Sequence, residues 1–430
     1  MKFFADLHIH SKFSRATSRD MVLDILARWA KIKGITLLPT ADFTHPEWLF
    51  LIREKLQPGD DGFFRLKNIM PSENEYLRNI LLQPEDVAFI LSTEISFIYS
   101  KKGRVRKIHI LVLAPDFENV DKINTKLAAV GNLRSDGRPI LGWDAKQFIK
   151  MVADTCPRCM VIPAHIWTPW FSLFGANSGF EAIEECFEEV TPFIFALETG
   201  LSSDPPMNRR LSALDKYTLV SNSDAHSPDK IGREGNFFDT EFSYDGLVDA
   251  VKSGDPQKFL YTVEFFPQEG KYHYDGHRKC GVAFSPKESI RHNDVCPHCG
   301  KKLTKGVLHR VEELADREED HLPPFRIPYK NLIPLNEIIA QSLGKSSSCK
   351  SVWDTYFRMI RELGNEHHIL TEIPVENIIQ AGFNHIGKGI DRMRKGNVHI
   401  APGHDGTYGI IKLYDEEMED ENNQGQLQLF

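Results

Sequence analysis

The sequence predicts an α/β protein built of strand–helix units around a mainly parallel, barrel-like sheet. Two observations carry this. Through the first ~265 residues, short apolar β-rich runs alternate with amphipathic helical stretches, the pattern of βα units. Those runs also end repeatedly in His, Asp or Glu, and polar side chains recurring at C-terminal strand ends mark a barrel with its active site on that face. In order, FFADLHIH reads as a strand and Met21 to Lys33 as a helix. ITLLPTAD, VAFILSTEIS, KIHILVLAP, MVIPAHIW, FIFALETG and YTLVSNSDAH complete the strand series.

Size and composition set the bounds. A chain of 430 residues holds two or three domains. With 41% hydrophobic and 26% charged residues the balance is that of a globular protein. No apolar run approaches the ~18 residues that span a bilayer, and Asp6 and His8 interrupt any signal-peptide core, so no membrane association and a cytoplasmic location are expected. The net charge is −8, but six of the negative charges lie in the stretch Asp415 to Glu421, which leaves the rest near −2. Basic clusters at Lys101–Lys107 and Lys388–Lys395 permit nucleic-acid binding without requiring it. Seven scattered cysteines fit a reducing compartment.

The strand–helix pattern covers 1–265. A composition break near Phe266 opens a turn-rich segment, 266–320, that holds three of the cysteines. Residues 321–414 read as a helical module through LNEIIAQSLG, SVWDTYFRMIRELG and PVENIIQAGF, closed by a hairpin in VHIAPGHDGTYGIIKLY. An acidic tail, 415–430, ends in QLQLF.

The strand ends carry a metal-ligand set. His8 and His10 are two apart, so on a strand both imidazoles face the same way. Asp42 and His45, Glu94, His109, His165, and Asp224 with His226 follow in the same series. Any one of these alone is most simply a hydrogen-bonded strand-end residue; nine in one periodic series converge. Mixed imidazole and carboxylate ligands suit zinc, manganese or iron(II) better than calcium or magnesium. Glu94 is the candidate bridge, since a carboxylate spans two ions and an imidazole does not. Asp224 and His226 close the cluster or position the water.

This set resembles the polymerase-and-histidinol-phosphatase (PHP) superfamily, with its N-terminal H-x-H, acid–His pair, isolated Glu, two later histidines and terminal D-x-H. The resemblance implies a distorted seven-stranded β/α barrel, TIM-like, with two or three divalent metals at its mouth and phosphoester hydrolysis. One departure stands out: Ala41-Asp42-Phe43 replaces the usual T-D-H and His45 is displaced, leaving open whether Asp42, His45 or both bind metal.

Beyond residue 265, His277 and Cys280 pair with Cys296 and Cys299, each half with two residues between, the spacing of a closed, structural zinc site. His298 rivals His277 as the fourth ligand. Cys156 and Cys159 share the spacing but have no second pair nearby and read as ordinary thiols. Trp167, Trp170, Phe171 and Phe174 crowd one loop after His165, either as a packed lid or as a stacking platform for an extruded base.

HIWTPWFSLFGANSGFEAIEECF, ETGLSSDPPMNRRLSALDKYTLVSNSDAHSP, KIGREGNFFD, GHRKCG, CPHCGKKLTKGVLHRVEELADR and APGHDGTYGIIKLY resemble the endonuclease Q family over nearly the whole chain. That resemblance implies a DNA repair endonuclease cutting 5′ of deaminated bases (hypoxanthine, uracil, xanthine) and abasic sites. Arg233 then joins the aromatic loop as a DNA- or lesion-binding residue, and 321–414 becomes a DNA-binding module. The terminal Gln426, Leu427, Leu429 and Phe430 resemble a sliding-clamp-binding peptide on a flexible acidic tether. A monomer associated with the nucleoid is expected. The alternative reading, a PHP-type phosphatase of small phosphomonoesters or nucleotides, leaves the cysteine module, the helices and the tail without a purpose.

Overall fold

The computed structural model describes residues 1–321, 323–324 and 326–414; the acidic tail and its clamp-like peptide lie outside the described residues. The central sheet holds β1 (Lys2–Ala5), β2 (Leu37–Pro39), β3 (Ala88–Lys101), β4 (Arg104–Ala114) and β5 (Met160–Pro163) and, after a separate two-stranded ladder of β6 (Ala196–Glu198) and β7 (Thr218–Val220), β8 (Gly235–Asp239) and β9 (Phe259–Glu264). β1, β2 and β3 run parallel. β4 folds back on β3 as a long antiparallel ladder and is itself antiparallel to β5, while β8 is antiparallel to β1 and β9. The sheet is therefore mixed, where the sequence predicts a mainly parallel one. The reason is the tight turn Lys102–Gly103, with both residues at positive φ, which joins β3 to β4 with no helix between them.

The two-stranded ladder of β6 and β7 is parallel. It is tied to the β5 side by Ile166 N–H donating to the Glu198 carbonyl at 3.1 Å. On the other side Ser221 N–H donates to the Asn236 side chain of β8 at 3.0 Å. Leu7, Leu37, Ile90, Leu111, Ile162 and Val220, each from a different strand region, meet in one buried cluster. Strand side chains alternate faces, so these residues share one apolar face of the sheet region, which packs on Tyr244, Leu247 and Val251 of the helix Tyr244–Ser253.

The C-terminal helices Leu335–Leu343, Lys350–Leu363 and Val375–Gln380 fall where the sequence places them, and a further helix, Asn384–Arg394, follows outside the runs that the sequence marks as helical. Their buried residues share one continuous core with helix Leu23–Lys33. The short strand Tyr329–Asn331 also adds to the main sheet in parallel with β9, so the third segment begins on the first. At the junction Lys33 Nζ donates to Glu366 at 2.7 Å, and the Tyr356 hydroxyl and Leu335 N–H complete the carboxylate at 2.6 and 2.9 Å. Both members of the ion pair are at least nine-tenths buried. The hairpin His399–Ala401 with Ile410–Lys412 forms as expected and leans on the cysteine module, where Asp405 accepts from Arg278 N–H and the Thr304 hydroxyl. No helix among the described residues is long and apolar enough to cross a membrane.

Removing one member of a buried pair leaves the other charge uncompensated. Glu366→Gln is thus expected to lower stability by about 3–5 kcal/mol in chemical denaturation. An unchanged denaturation midpoint would show that Lys33 finds another partner.

Candidate metal centre

The site is assembled from the strand ends. His8 and His10 follow β1, Glu94 lies within β3, His109 within β4, His165 follows β5, and Asp224 and His226 follow β7. His109 precedes the apolar part of its run, which in a parallel sheet would put it at the wrong end. The antiparallel ladder sets it opposite Ser96, beside Glu94.

Three overlapping groups of donor atoms result, each spanning no more than 4.8 Å: His8, His10 and Glu94; His10, Asp224 and His226; Glu94, His109 and His165. Glu94 and His10 are each shared by two groups. Glu94 Oε1 lies 2.7 Å from His109 Nδ1 and 3.0 Å from His165 Nε2, while Oε2 lies 3.3 Å from His10 Nε2. Asp224 Oδ1 lies 2.9 Å from His10 Nε2. His8 Nε2, His10 Nδ1 and Asp42 Oδ1 are buried without a hydrogen-bond partner. Buried polar atoms are rarely left so, and an imidazole nitrogen aimed at carboxylates suits a cation.

Most ring nitrogens not used in these groups are held from behind. His8 Nδ1 lies 3.0 Å from both oxygens of Glu198, His109 Nε2 2.7 Å from the Ser96 hydroxyl, and His165 Nδ1 3.1 Å from the Thr168 hydroxyl. Such partners set the tautomer and orientation of a ligating imidazole. Asp42 Oδ1 faces His10 Nδ1 at 3.6 Å, beyond hydrogen-bond distance, and both atoms lack a hydrogen-bond partner. The other Asp42 oxygen is fixed by Ser11 N–H, the Ser11 hydroxyl and the Ser14 hydroxyl at 2.8, 2.6 and 2.7 Å. His45 stands apart from the converging donors. It caps helix Pro46–Lys55, its Nδ1 accepting from Trp48 N–H, and stacks on Phe13.

Backbone strain collects here. Asp42, His165 and Asp224 all have positive φ, at 45°, 30° and 46°, a cost that packed sites sustain where side-chain aim matters. The Asp224 turn is held by Asp6, which accepts from Ser223 N–H, the Ser223 hydroxyl and Gly232 N–H. Arg233 donates twice to the Ser223 carbonyl, so its guanidinium braces the same turn.

Charge follows geometry. Burial disfavours ionisation of Glu94, yet the charges of His109, Arg138 and His8 hold its carboxyl well below the usual range. Burial likewise opposes ionised Asp224, and His10 and His8 overcome it, so Asp224 too is held low. Burial lowers His109 to about 4 despite Glu94 beside it. Burial pushes Asp6 up to about 6, against the hydrogen bonds it accepts from Ser223 and Gly232.

Sequence reasoning missed Glu198 and Arg138. Glu198 ends the run FIFALETG in the same strand-end series and carried that signal. Arg138 carried none: its Nη1 reaches Glu94 Oε2 at 3.0 Å from a loop tied down by Gly137 N–H on the Phe13 carbonyl. Any side chain at Gly137 would collide with Asp42 and Ser14.

The aromatic loop divides. Trp167 and Phe174 are buried and in contact with each other, Trp167 donating to Asn208. Phe171 lies beside His109, and Trp170 is 48% exposed, edge-on to Tyr272. Trp170, Tyr272, Tyr408 and Lys271 line a cavity of about 420 Å³ with Thr168, the partner of His165.

In the cysteine segment, His277, Cys280, Cys296 and Cys299 bring their donor atoms within 4.8 Å of one another. Backbone N–H groups of His298 and Cys299 face the Cys296 thiol and, against its burial, lower it to about 6. His298 is outside the group. Cys159 N–H donates to Cys156 Sγ at 3.1 Å, and the pair joins none of the donor groups among the described residues.

A crystal structure of the lesion-specific endonuclease PfuEndoQ from Pyrococcus furiosus superposes with a TM-score of 0.83 and 32% sequence identity, covering 98% of this chain and 99% of that one. The chain belongs to the endonuclease Q family. A structure of endonuclease Q in complex with a 27-mer duplex substrate carrying an abasic lesion at the active site matches at TM-score 0.81 and 32% identity, over 97% and 98% of the two chains. Residues 334–397 match the family model described as the MJ0043 C-terminal domain. The uncharacterized protein MJ0043 of Methanocaldococcus jannaschii is 33% identical over 261 residues, which are 59% of this chain but only 32% of that protein. The uncharacterized protein YqxK of Bacillus subtilis (strain 168) is 28% identical over 96% of this chain and 99% of its own.

Behind the centre of this endonuclease Q family member, Glu234 and Glu264 are fully buried, and burial pushes both carboxyls up, Glu264 to about 8. Native Glu264 thus keeps its proton while the unfolded chain loses it above ~4.3, so the pair costs stability as pH rises from about 4 through 8. Glu264→Gln removes the ionisable group. Its denaturation free energy is expected to fall less between pH 5 and 8 than that of the parent; parallel curves would show that Glu264 titrates normally.

Proposed function

We propose that the chain is a metal-dependent DNA repair endonuclease that hydrolyses the phosphodiester on the 5′ side of deaminated bases and abasic sites. One observation carries it: three donor groups linked through Glu94 and His10 converge at a single mouth, in a member of the endonuclease Q family. The mixed sheet and the β6–β7 ladder are read as the distorted seven-stranded PHP barrel. His8, His10, Glu94, His109, His165, Asp224 and His226 would hold two or three divalent ions of zinc, manganese or iron. Ions bound there supply Lewis-acid charge and a water of lowered pKa.

The chain's own groups do the rest. Glu198, Ser96 and Thr168 keep the imidazoles aimed. Arg138, only 23% exposed and beside Glu94, would offer a non-bridging phosphate oxygen a planar fork of donors. Trp170, with Tyr272 and Tyr408 around the neighbouring cavity, offers an extruded base a stacking surface worth about 1–3 kcal/mol. His277, Cys280, Cys296 and Cys299 would hold one structural zinc with no open position. The tail peptide around Leu427 and Phe430 is read as a sliding-clamp ligand.

End-labelled duplexes carrying a single deoxyinosine, deoxyuridine or abasic site test the activity. A cut 5′ to the lesion in the presence of Mn²⁺, Mg²⁺ or Zn²⁺ is expected. Release of inorganic phosphate from small monoesters without nicking would instead favour a phosphatase. Asp224→Ala is expected to lower incision by at least about 10³-fold with an unchanged circular-dichroism melt; retained turnover at normal metal content would remove Asp224 from the mechanism. Deleting the last five residues is expected to abolish binding to a sliding clamp and to spare incision, and equal clamp affinity with and without them would end that assignment.

A further inference from the structure

Away from the metal mouth, one cavity of about 620 Å³ is walled by Lys102, Arg104 and Arg106 of the β3–β4 hairpin, by Gly175–Gly179, and by Arg310. Arg106 is its unusual member. It is 6% exposed, its guanidinium lies 4.2 Å from the centre of the Phe180 ring, and one terminal nitrogen donates to the Gly179 carbonyl. Its Nε–H is buried and has no partner. A guanidinium cannot shed its charge when buried, so an unmet N–H there carries a desolvation cost that an anion would relieve.

The surroundings favour an anion. Arg104 and Lys102 are exposed at the rim. Arg310 is anchored to the Phe174 and Phe180 carbonyls at 3.1 and 3.2 Å. Glu181 and Glu185 share the wall, Glu185 at 4.0 Å from Lys102, and Arg310 is paired with Glu313 at 3.1 Å, so among the described residues Arg104 and Arg106 are the cavity cations without a carboxylate partner.

We propose that this cavity is a phosphate-binding site with Arg106 Nε as a donor at its floor. Side chains alternate along β4, so Arg104 and Arg106 point to the face opposite His109 and Lys107. The phosphate held here is therefore distinct from the one at the metal mouth. Arg106 is three residues from His109, about 10 Å along the strand, or roughly three base-pair steps of a duplex. A phosphodiester of a DNA strand crossing the hairpin and a free phosphate ion share this chemistry. The DNA source rests on the endonuclease reading; the phosphate site does not.

The test compares the whole chain with its Arg104→Ala and Arg106→Lys variants. Inorganic phosphate is titrated by calorimetry after removal of divalent ions, and affinity for an undamaged duplex is measured against salt. Either variant is expected to weaken phosphate binding by about ten-fold. Arg104→Ala, which removes a charge, is also expected to lower the slope of log affinity against log salt by about one, whereas Arg106→Lys keeps its charge and its slope, so the slope is read on Arg104→Ala. Weaker phosphate binding with an unchanged slope assigns the site to free phosphate. Should Arg106→Lys melt early, Arg104→Ala, whose side chain is exposed, decides. Equal phosphate affinity in all three proteins, or none in the parent, overturns the site. A parent that neither binds nor cuts DNA defeats the endonuclease reading, while the phosphate titration still decides this one.

Discussion

A buried carboxylate set among four imidazoles and a guanidinium organises this protein. Glu94 is 1% exposed and has His8, His10, His109, His165 and Arg138 around it. Such a carboxylate would take up a proton if it stood alone at that depth. Its partners keep it ionised, and the price is that each must itself be held in place. Much of the architecture near the mouth answers that requirement: the antiparallel ladder that delivers His109, the serines that grip Asp42, and the strained turn that presents Asp224.

The holding groups form a second layer with its own logic. Each imidazole meeting Glu94 gives one nitrogen to the centre, while the other faces Glu198, Asp42, a serine or a threonine. Glu198 is fully buried and also accepts from His165 N–H and the Asn222 side chain, so one carboxylate ties together the ends of β1, β5, β6 and β7. Asp6 does the same for the Ser223–Asp224 turn and the loop at Gly232. Geometry of this kind tolerates little movement, since Glu94 and His10 each serve two donor groups.

The chain's later segments join this core through a continuous apolar cluster and through polar contacts set along it. Lys33 and Glu366 join the first helix to the C-terminal helices, and Asp405 joins the closing hairpin to the cysteine module. Arg310 reaches from helix Val307–Leu314 to the aromatic loop, so the loop that flanks His165 is braced from the cysteine segment as well as from its own strand.

Residue type and periodicity were enough to place β1 to β7 and to name His8, His10, Glu94, His109, His165, Asp224 and His226, whose donor atoms the structure brings into overlapping groups. The reason is that ligand chemistry admits few side chains and a strand end is a legible place to put them. The His277, Cys280, Cys296 and Cys299 grouping was legible for the same reason, since turns set its spacing locally. What depends on partners distant in the chain was not legible. Glu198 meets His8 across 190 residues and Arg138 meets Glu94 across 44, and no local pattern encodes either contact. His45 looked like a ligand until the helix beginning at Pro46 claimed it as a cap. Trp167 and Phe174 were indistinguishable from Trp170 and Phe171 in sequence, and only packing sent one pair inward and left the other beside the site.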